Sequence, residues 1–188
     1  MKTVNRFAAL VVGIALPLSV AWADNYSDAI EVFKAAGESS HFFKKSYGYA
    51  VFPSIGKGGI GIGAAHGTGH VYVADKLVGE SSMTQLSVGL QLGGQVFSEI
   101  IFFEDKRAFD EFTGGNFEFG AEMSAVAITA AASAGAGTEG ASAGASGGQH
   151  DATTVGQYHK GMAVFTVAKG GLMYAAALGG QKYSYKPL

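Results

Sequence analysis

From Tyr47 onward apolar residues recur at every second position, and that period decides what the chain can fold into. The stretches 47–53, 60–66, 70–74, 84–92 and 96–103 alternate as strands with one covered face do. In 84–92, Leu86, Val88, Leu90 and Leu92 share one face, while Gln85, Ser87, Gly89 and Gln91 share the other. The leucine face is therefore expected to be the covered one. Ile100-Ile101-Phe102-Phe103 is apolar at every position, which implies burial on both faces. Lys57-Gly58-Gly59, Gly67-Thr68-Gly69 and the polar stretch 75–81 are expected to turn the chain between strands. Further strands are expected at 116–128, 161–168 and 172–183.

Helical spacing appears in three places. Tyr26, Ala29, Ile30, Phe33 and Ala36 predict a helix over 25–36, with Asp24 or Asn25 as cap and Gly37 as its end. A shorter turn over 40–45 puts Phe42 and Phe43 inward and Lys44 and Lys45 outward. Asp105 caps a helix over 106–112, closed by Gly114-Gly115. The fold class that follows is α+β: a curved, mainly antiparallel β-sheet, barrel- or sandwich-like, with two or three short helices. A transmembrane barrel would need strands of about 9–11 residues with lipid-facing bands throughout. Several strands here are shorter, and helices interrupt them.

Composition enters at the glycines, which number 29 of 188 residues, roughly twice the usual ~7% share. No Gly-X-Y period is present, so the chain is not collagen, and 48% apolar residues is typical of a globular protein. The stretch 130–148 is Ala, Gly or Ser at 17 of 19 positions and is expected to be a loop near its centre. The chain has no cysteine, which excludes a disulfide framework, a thiolate metal site, a catalytic thiol and acylation at cysteine.

Residues 1–23 read as a secretory signal peptide. Lys2 and Arg6 precede an apolar run over 7–20, and Ala21-Trp22-Ala23 places small residues where signal peptidase cuts, after Ala23. The 14-residue run falls short of the ~20 residues that span a bilayer. The expected destination is the periplasm, with secretion as the other outcome. The organisation is thus a signal peptide over 1–23, an N-terminal helix over 24–39 and one domain over 40–188 carrying the 130–148 insert. Removing the leader leaves 11 basic residues (13 less two) against 15 acidic ones, a net charge of −4. A chain of that balance is a poor partner for nucleic acid, whose affinity rests on phosphate neutralisation.

The motifs carry little catalytic chemistry. Gly56-Lys57-Gly58-Gly59-Ile60-Gly61 fits G-x-G-x-x-G, but a strand pattern follows where a dinucleotide site needs a helix, so nucleotide binding is rejected. His66 and His70 flank an expected turn without a third ligand nearby, and no metal or other cofactor is assigned. Ser98-Glu99 and Glu104-Asp105 read as strand-end and helix-cap residues. No serine lies in a nucleophile elbow, and the chain is read as non-enzymatic. The polar features left are two Lys-Gly-Gly turns, Lys57-Gly58-Gly59 and Lys169-Gly170-Gly171. Successive glycine amides can cradle an anion, and Lys44, Lys45 and Lys160 would extend a basic surface for phosphate head groups. The alternative is that lysine keeps hairpin tips soluble while glycine supplies positive φ. Two short echoes recur in the same order: Ala50-Val51-Phe52 with Ala163-Val164-Phe165, and Leu92-Gly93-Gly94-Gln95 with Leu178-Gly179-Gly180-Gln181.

The block from Tyr49 to Ala64, Tyr-Ala-Val-Phe-Pro-Ser-Ile-Gly-Lys-Gly-Gly-Ile-Gly-Ile-Gly-Ala, resembles the signature of the SYLF-domain family. Val88-Gly-Leu-Gln-Leu-Gly-Gly-Gln, Phe102-Phe-Glu-Asp with its Ala-Phe-x-x-Phe helix, Phe117-Glu-Phe-Gly-Ala-Glu and Tyr158-x-x-Gly161 continue the resemblance in order. It covers about 40–188. The resemblance implies a lipid-binding module: eukaryotic relatives bind phosphoinositide membranes through basic residues and an amphipathic helix, and yeast members also bundle actin. Here the polar face of helix 25–36 is acidic, with Asp28 and Glu31 against Lys34, so that part transfers only partly. Actin bundling is not carried over. The expected partner is a phospholipid or membrane surface, met through Lys57, Lys169 and neighbouring lysines; the alternative is an envelope protein met without lipid.

Overall fold

Two long strands carry the architecture. In the computed structural model, which describes residues 20–120, 123, 125–128, 157–170 and 180–188, β1 (Gly48–Val73) and β2 (Lys76–Phe103) form one antiparallel hairpin. Ala74 and Asp75 make its turn with φ of 49° and 58°. Two left-handed residues in succession give the turn whose twist matches that of its flanking strands.

Both expected breaks, at 57–59 and 67–69, lie inside β1; the strand bends back on itself just after Gly59, the break at 67–69 is corrected, and the turn expected over 75–81 shrinks to Ala74-Asp75. The glycines answer to space instead. β1 doubles over so that its two halves lie against each other. A Cβ at Gly67 would stand 2.6 Å from Ile55 Cγ1 and 3.0 Å from the Ser54 carbonyl oxygen. One at Gly69 would stand 2.6 Å from two Phe52 ring carbons and 2.8 Å from the Val51 carbonyl oxygen. Close approach of two backbones is a use of glycine that sequence shares with turns.

β2 spends one edge on β1 and divides the other. Gly79–Gln85 pairs with β6 (Gln181–Pro187), and Val96–Phe103 pairs with β5 (Met162–Gly170), both antiparallel. β3 (Phe117–Glu118) adds to β6, and β4 (Val126–Ile128) adds in parallel to β5. The result is an α+β fold with a strongly curled, mostly antiparallel sheet, a half-barrel. The strand expected over 116–128 is reduced to β3 and β4. Its 130–148 neighbour, residues 1–19 of the leader and all of 172–179 lie outside the described residues. The helical segments are α1 (Val20–Ala35), the paired single turns α2 (Gly37–Ser40) and α3 (Phe42–Lys45), and α4 (Lys106–Thr113). α1 thus begins upstream of its expected start. Asp105 caps α4 as expected, its carboxylate accepting from the Ala108 amide at 2.8 Å.

Strand alternation sorts the core into two. The inner face carries Phe52, Ile55, Met83, Ile101, Phe103 and Tyr183 and is closed by Ala108 and Phe112 of α4. The outer face carries Tyr49, Val51, Ile100, Phe102 and Phe165 and is covered by Tyr26, Ala29 and Phe33 of α1 and Phe42 of α3. Every position of 100–103 is therefore buried, as the unbroken apolar run requires. Phe52 and Ile55 both point inward because a bulge lies between them. Pro53 suits that bulge, having no N–H to give a ladder, and its carbonyl accepts from Ser98 Oγ at 2.7 Å. The echo Ala50-Val51-Phe52 and Ala163-Val164-Phe165 flanks the same part of β2 from its two edges, but on opposite faces: Ala50 lies inside and Ala163 outside.

Candidate functional site

The sequence-predicted basic residues fall into separate sets. Lys44 and Lys45 are exposed at the end of α3, and Lys160 is exposed in a two-residue turn with Gly161, at φ of 51° and 81°. The chain brings them to one end of the sheet, where Tyr47 N donates to Phe103 O and Glu104 N to Gly161 O, each at 2.8 Å. Charges there are mixed: Arg107 and Lys106 pair with Glu111 and Asp110. Lys169 lies nine residues along β5 from Lys160, about 30 Å away in extended chain. It is exposed, at the bulge opposite Val96 and Phe97. Lys57 faces Gln95 across the hairpin and is half-buried, with Gly58 and Gly59 following in mid-strand. Gly170 ends β5; Gly171 is outside the described residues. The described ones among these nine residues do not make one patch, and the first Lys-Gly-Gly lies inside β1 where that strand bends back on itself, a Cβ at Gly59 having no room beside the Ile62 carbonyl.

The feature that sequence reasoning missed is an inversion of β2. Gln85 and Ser81 are buried on the inner face, while Leu86, expected inside, is 77% exposed on the outer one. Ile62, on β1 beside it, is 67% exposed. Ala64 pairs with Leu86, so Ile62 is its diagonal neighbour, near enough for long side chains to share one surface. Lys182 and Lys186 of β6 lie on this same outer face, opposite Thr84 and Glu80, and both are exposed. Lys182 is bonded to Glu118 at 3.5 Å. Toward β5, exposed Val96 and Lys169 flank the same face, and Gly56 has open space where a Cβ would stand. A pair of large aliphatic side chains turned to solvent, beside lysines, has the composition of a docking surface. The signal was present only as an alternation whose phase the sequence does not specify.

The inner face is correspondingly polar at one place. Glu99, expected at a strand end, is fully buried inside β2, four residues before its last residue. Its Oε1 lies 2.7 Å from Tyr183 Oη, and its Oε2 lies 3.4 Å from Gln181 Nε2. Tyr183 Oη is also 2.6 Å from Gln181 Oε1. Burial pushes the Glu99 carboxyl up to about 7, against the smaller opposing effect of the bonds from Tyr183 and Gln181. Burial and the neighbouring Glu99 push the Tyr183 hydroxyl well above its ordinary value. Among the described residues no group of three or more His, Asp or Glu could hold a metal ion. His66 and His70 both lie within β1, where His70 stacks on Tyr26 of α1 at 3.6 Å between centroids. No helix among the described residues is long and apolar enough to cross a membrane.

Residues 84–185 match the family model Ysc84, described as Las17-binding protein actin regulator, over more than half of the chain. The chain belongs to the Ysc84 family. No curated protein matches it. The Ysc84 match, the SYLF-type module of the resemblance above, begins on β2 and ends on β6. It takes in Leu86, Val96, Lys169 and Lys182, together with Glu99, Gln181 and Tyr183. Lys44, Lys45, Lys57 and Ile62 precede it.

Proposed function

We propose that this Ysc84-family chain is a non-enzymatic module that associates with phospholipid membrane at the cell envelope, exported to the periplasm by its leader. The observation that carries the reading is the outer face, with Ile62 and Leu86 exposed beside lysines of β5 and β6. Each aliphatic side chain moved from water into acyl chains contributes about 1.5–3 kcal/mol. Each lysine near an anionic surface contributes about 1 kcal/mol. Two aliphatics with Lys169, Lys182 and Lys186 suffice for a reversible, salt-sensitive contact, while a net charge of −4 supplies no long-range pull. Lys57, Lys44, Lys45 and Lys160 lie elsewhere and act as secondary head-group contacts in this reading.

Co-sedimentation of the purified protein with phosphatidylglycerol-containing and with phosphatidylcholine vesicles tests it. Binding is expected to weaken at least tenfold in Leu86→Asp, the loss of one buried aliphatic being worth a decade or more. Lys169→Ala should weaken only the anionic-vesicle arm, and Lys57→Ala should weaken it less. Absence of binding to both vesicle types would refute the reading. The family description names protein partners, which favours a second reading in which the same face meets an envelope protein. Crosslinking from position 86 in cells separates the two, since protein adducts without vesicle binding support the second.

A further inference from the structure

The Glu99, Gln181 and Tyr183 side chains make three contacts that need three protons between them, and the count decides the state of Glu99. Tyr183 Oη stands 2.7 Å from Glu99 Oε1 and 2.6 Å from Gln181 Oε1, both oxygens. A phenol has one proton and donates once. If that proton goes to Gln181 Oε1, the contact to Glu99 is a hydrogen bond only when Glu99 donates. Turning the Gln181 amide over lets its NH2 donate to Tyr183 Oη. The shortage then moves to the 3.4 Å contact between Gln181 and Glu99 Oε2, where two oxygens would again face each other. In both orientations all three contacts are bonds only with Glu99 as a neutral acid. The ring then closes: Glu99 donates to Tyr183, Tyr183 to Gln181, and Gln181 back to Glu99.

Among the described residues the ionised form has no cation partner and no bond outside this ring. Across β1, Phe52 is the residue paired with Glu99; across β5 it is Thr166, a buried hydroxyl without a hydrogen-bond partner among the described residues. Phe112 of α4, with Phe117 and Phe119, packs on the Tyr183 ring at 5.2–6.2 Å between centroids. Tyr183 is the titratable group facing Glu99, and no lysine, arginine or histidine among the described residues pairs with it. Lys57 is opposite Gln95, four residues and about 13 Å along β2 from Glu99.

We infer that Glu99 is a proton-operated latch between β2 and the C-terminal strand β6, closed when the carboxyl is protonated and weakened when it ionises. Gln181 and Tyr183 are both on β6, so the ring ties that strand to the inner face over and above its ladder bonds to Gly79–Gln85. The sign follows from the carboxyl being more basic folded than unfolded. Below about pH 4.5 both states are protonated and the latch is complete. As pH rises from there to about 7, the unfolded chain releases the proton and the folded one keeps it, so stability falls.

The test is urea unfolding of the protein and of Glu99→Gln between pH 4.5 and 8. The ratio of their unfolding constants should rise by roughly a hundredfold or more across that window, wild type being the one that weakens. Comparing the two chains cancels every other titration they share. A ratio that stays level overturns the inference. Isotope-edited infrared spectroscopy of glutamate-labelled wild type decides the matter even if Glu99→Gln does not fold. A protonated carboxyl band should persist at pH 6 and vanish with a midpoint near 7. No protonated carboxyl at pH 6 overturns the inference as well. Amide exchange over 181–187, corrected for its intrinsic pH dependence, should accelerate above the midpoint; unchanged protection there refutes the part assigned to β6.

Discussion

Gly69→Ala tests the doubling of β1 on itself. The new Cβ would stand 2.6 Å from Phe52 Cδ1 and Cε1, where carbon contacts prefer about 3.5–4.0 Å. Phe52 must therefore retreat by about 1 Å, yet it is fully buried with the Tyr183 ring 5.5 Å away between centroids. The Val51 carbonyl, 2.8 Å from the same Cβ, is backbone and cannot rotate aside. Overpacking of this kind costs about 1–3 kcal/mol, and the backbone contact places this case in the upper half of that range. Gly56→Ala is the control, because the same strand leaves open space there. It should gain about 0.4–1 kcal/mol from the stiffer unfolded chain. That gain is common to both Gly→Ala changes, so the two variants should differ by the overpacking cost, about 2–3 kcal/mol, in urea unfolding followed by circular dichroism. For a chain of this size that is a Tm gap of about 4–12 °C. Equal stabilities, or a more stable Gly69→Ala, would refute the account of these glycines as spacers between two backbones.

Three further outcomes follow from local geometry. Ala74→Gly should raise stability by about 1 kcal/mol in the same assay, since Ala74 holds a φ of 49° that costs an L-residue about 1–2 kcal/mol. Asp105→Ala should lower it by about 1 kcal/mol by leaving the Ala108 amide without its cap. Burial lowers the His70 pKa from 6.5, with Glu80 opposing, so folding favours the neutral ring. Its contribution is full above pH 6.5 and is lost as pH falls from there toward the folded value. An NMR titration of His70 should show a midpoint below 6.5, and His70→Phe should remove the acid loosening of α1 read by circular dichroism.

Local chemistry was legible where one residue type has one use. Asp105 before an amphipathic turn is a cap, and an unbroken apolar run at 100–103 is buried twice, once under α4 and once under α1–α3. Gly67-Thr68-Gly69 was not legible, because glycine marks turns and close approaches alike and only the neighbouring backbone tells them apart. Leu86 was misread for a different reason. Alternation reports that two faces differ, but which one is covered depends on what packs there, and the helices that cover Ile100 and Phe102 on the outer face leave Leu86 exposed. Glu99 reads as a solvated strand end until Tyr183 and Gln181, more than eighty residues later, close over it.

The division of β2 between two late partners also orders the chain in time. β1 and β2 meet through a two-residue turn, so their hairpin needs no distant segment to form. Gly79 and Pro187, by contrast, pair across more than a hundred residues of sequence. Closing so wide a loop is slow relative to zipping a hairpin. Until 181–187 have been made and have arrived, the 79–85 edge offers an unsatisfied ladder beside exposed Leu86, the kind of edge on which copies associate. A chain still being synthesised therefore carries its main aggregation hazard from the first hairpin to the last strand, and any factor that escorts it has that edge to cover.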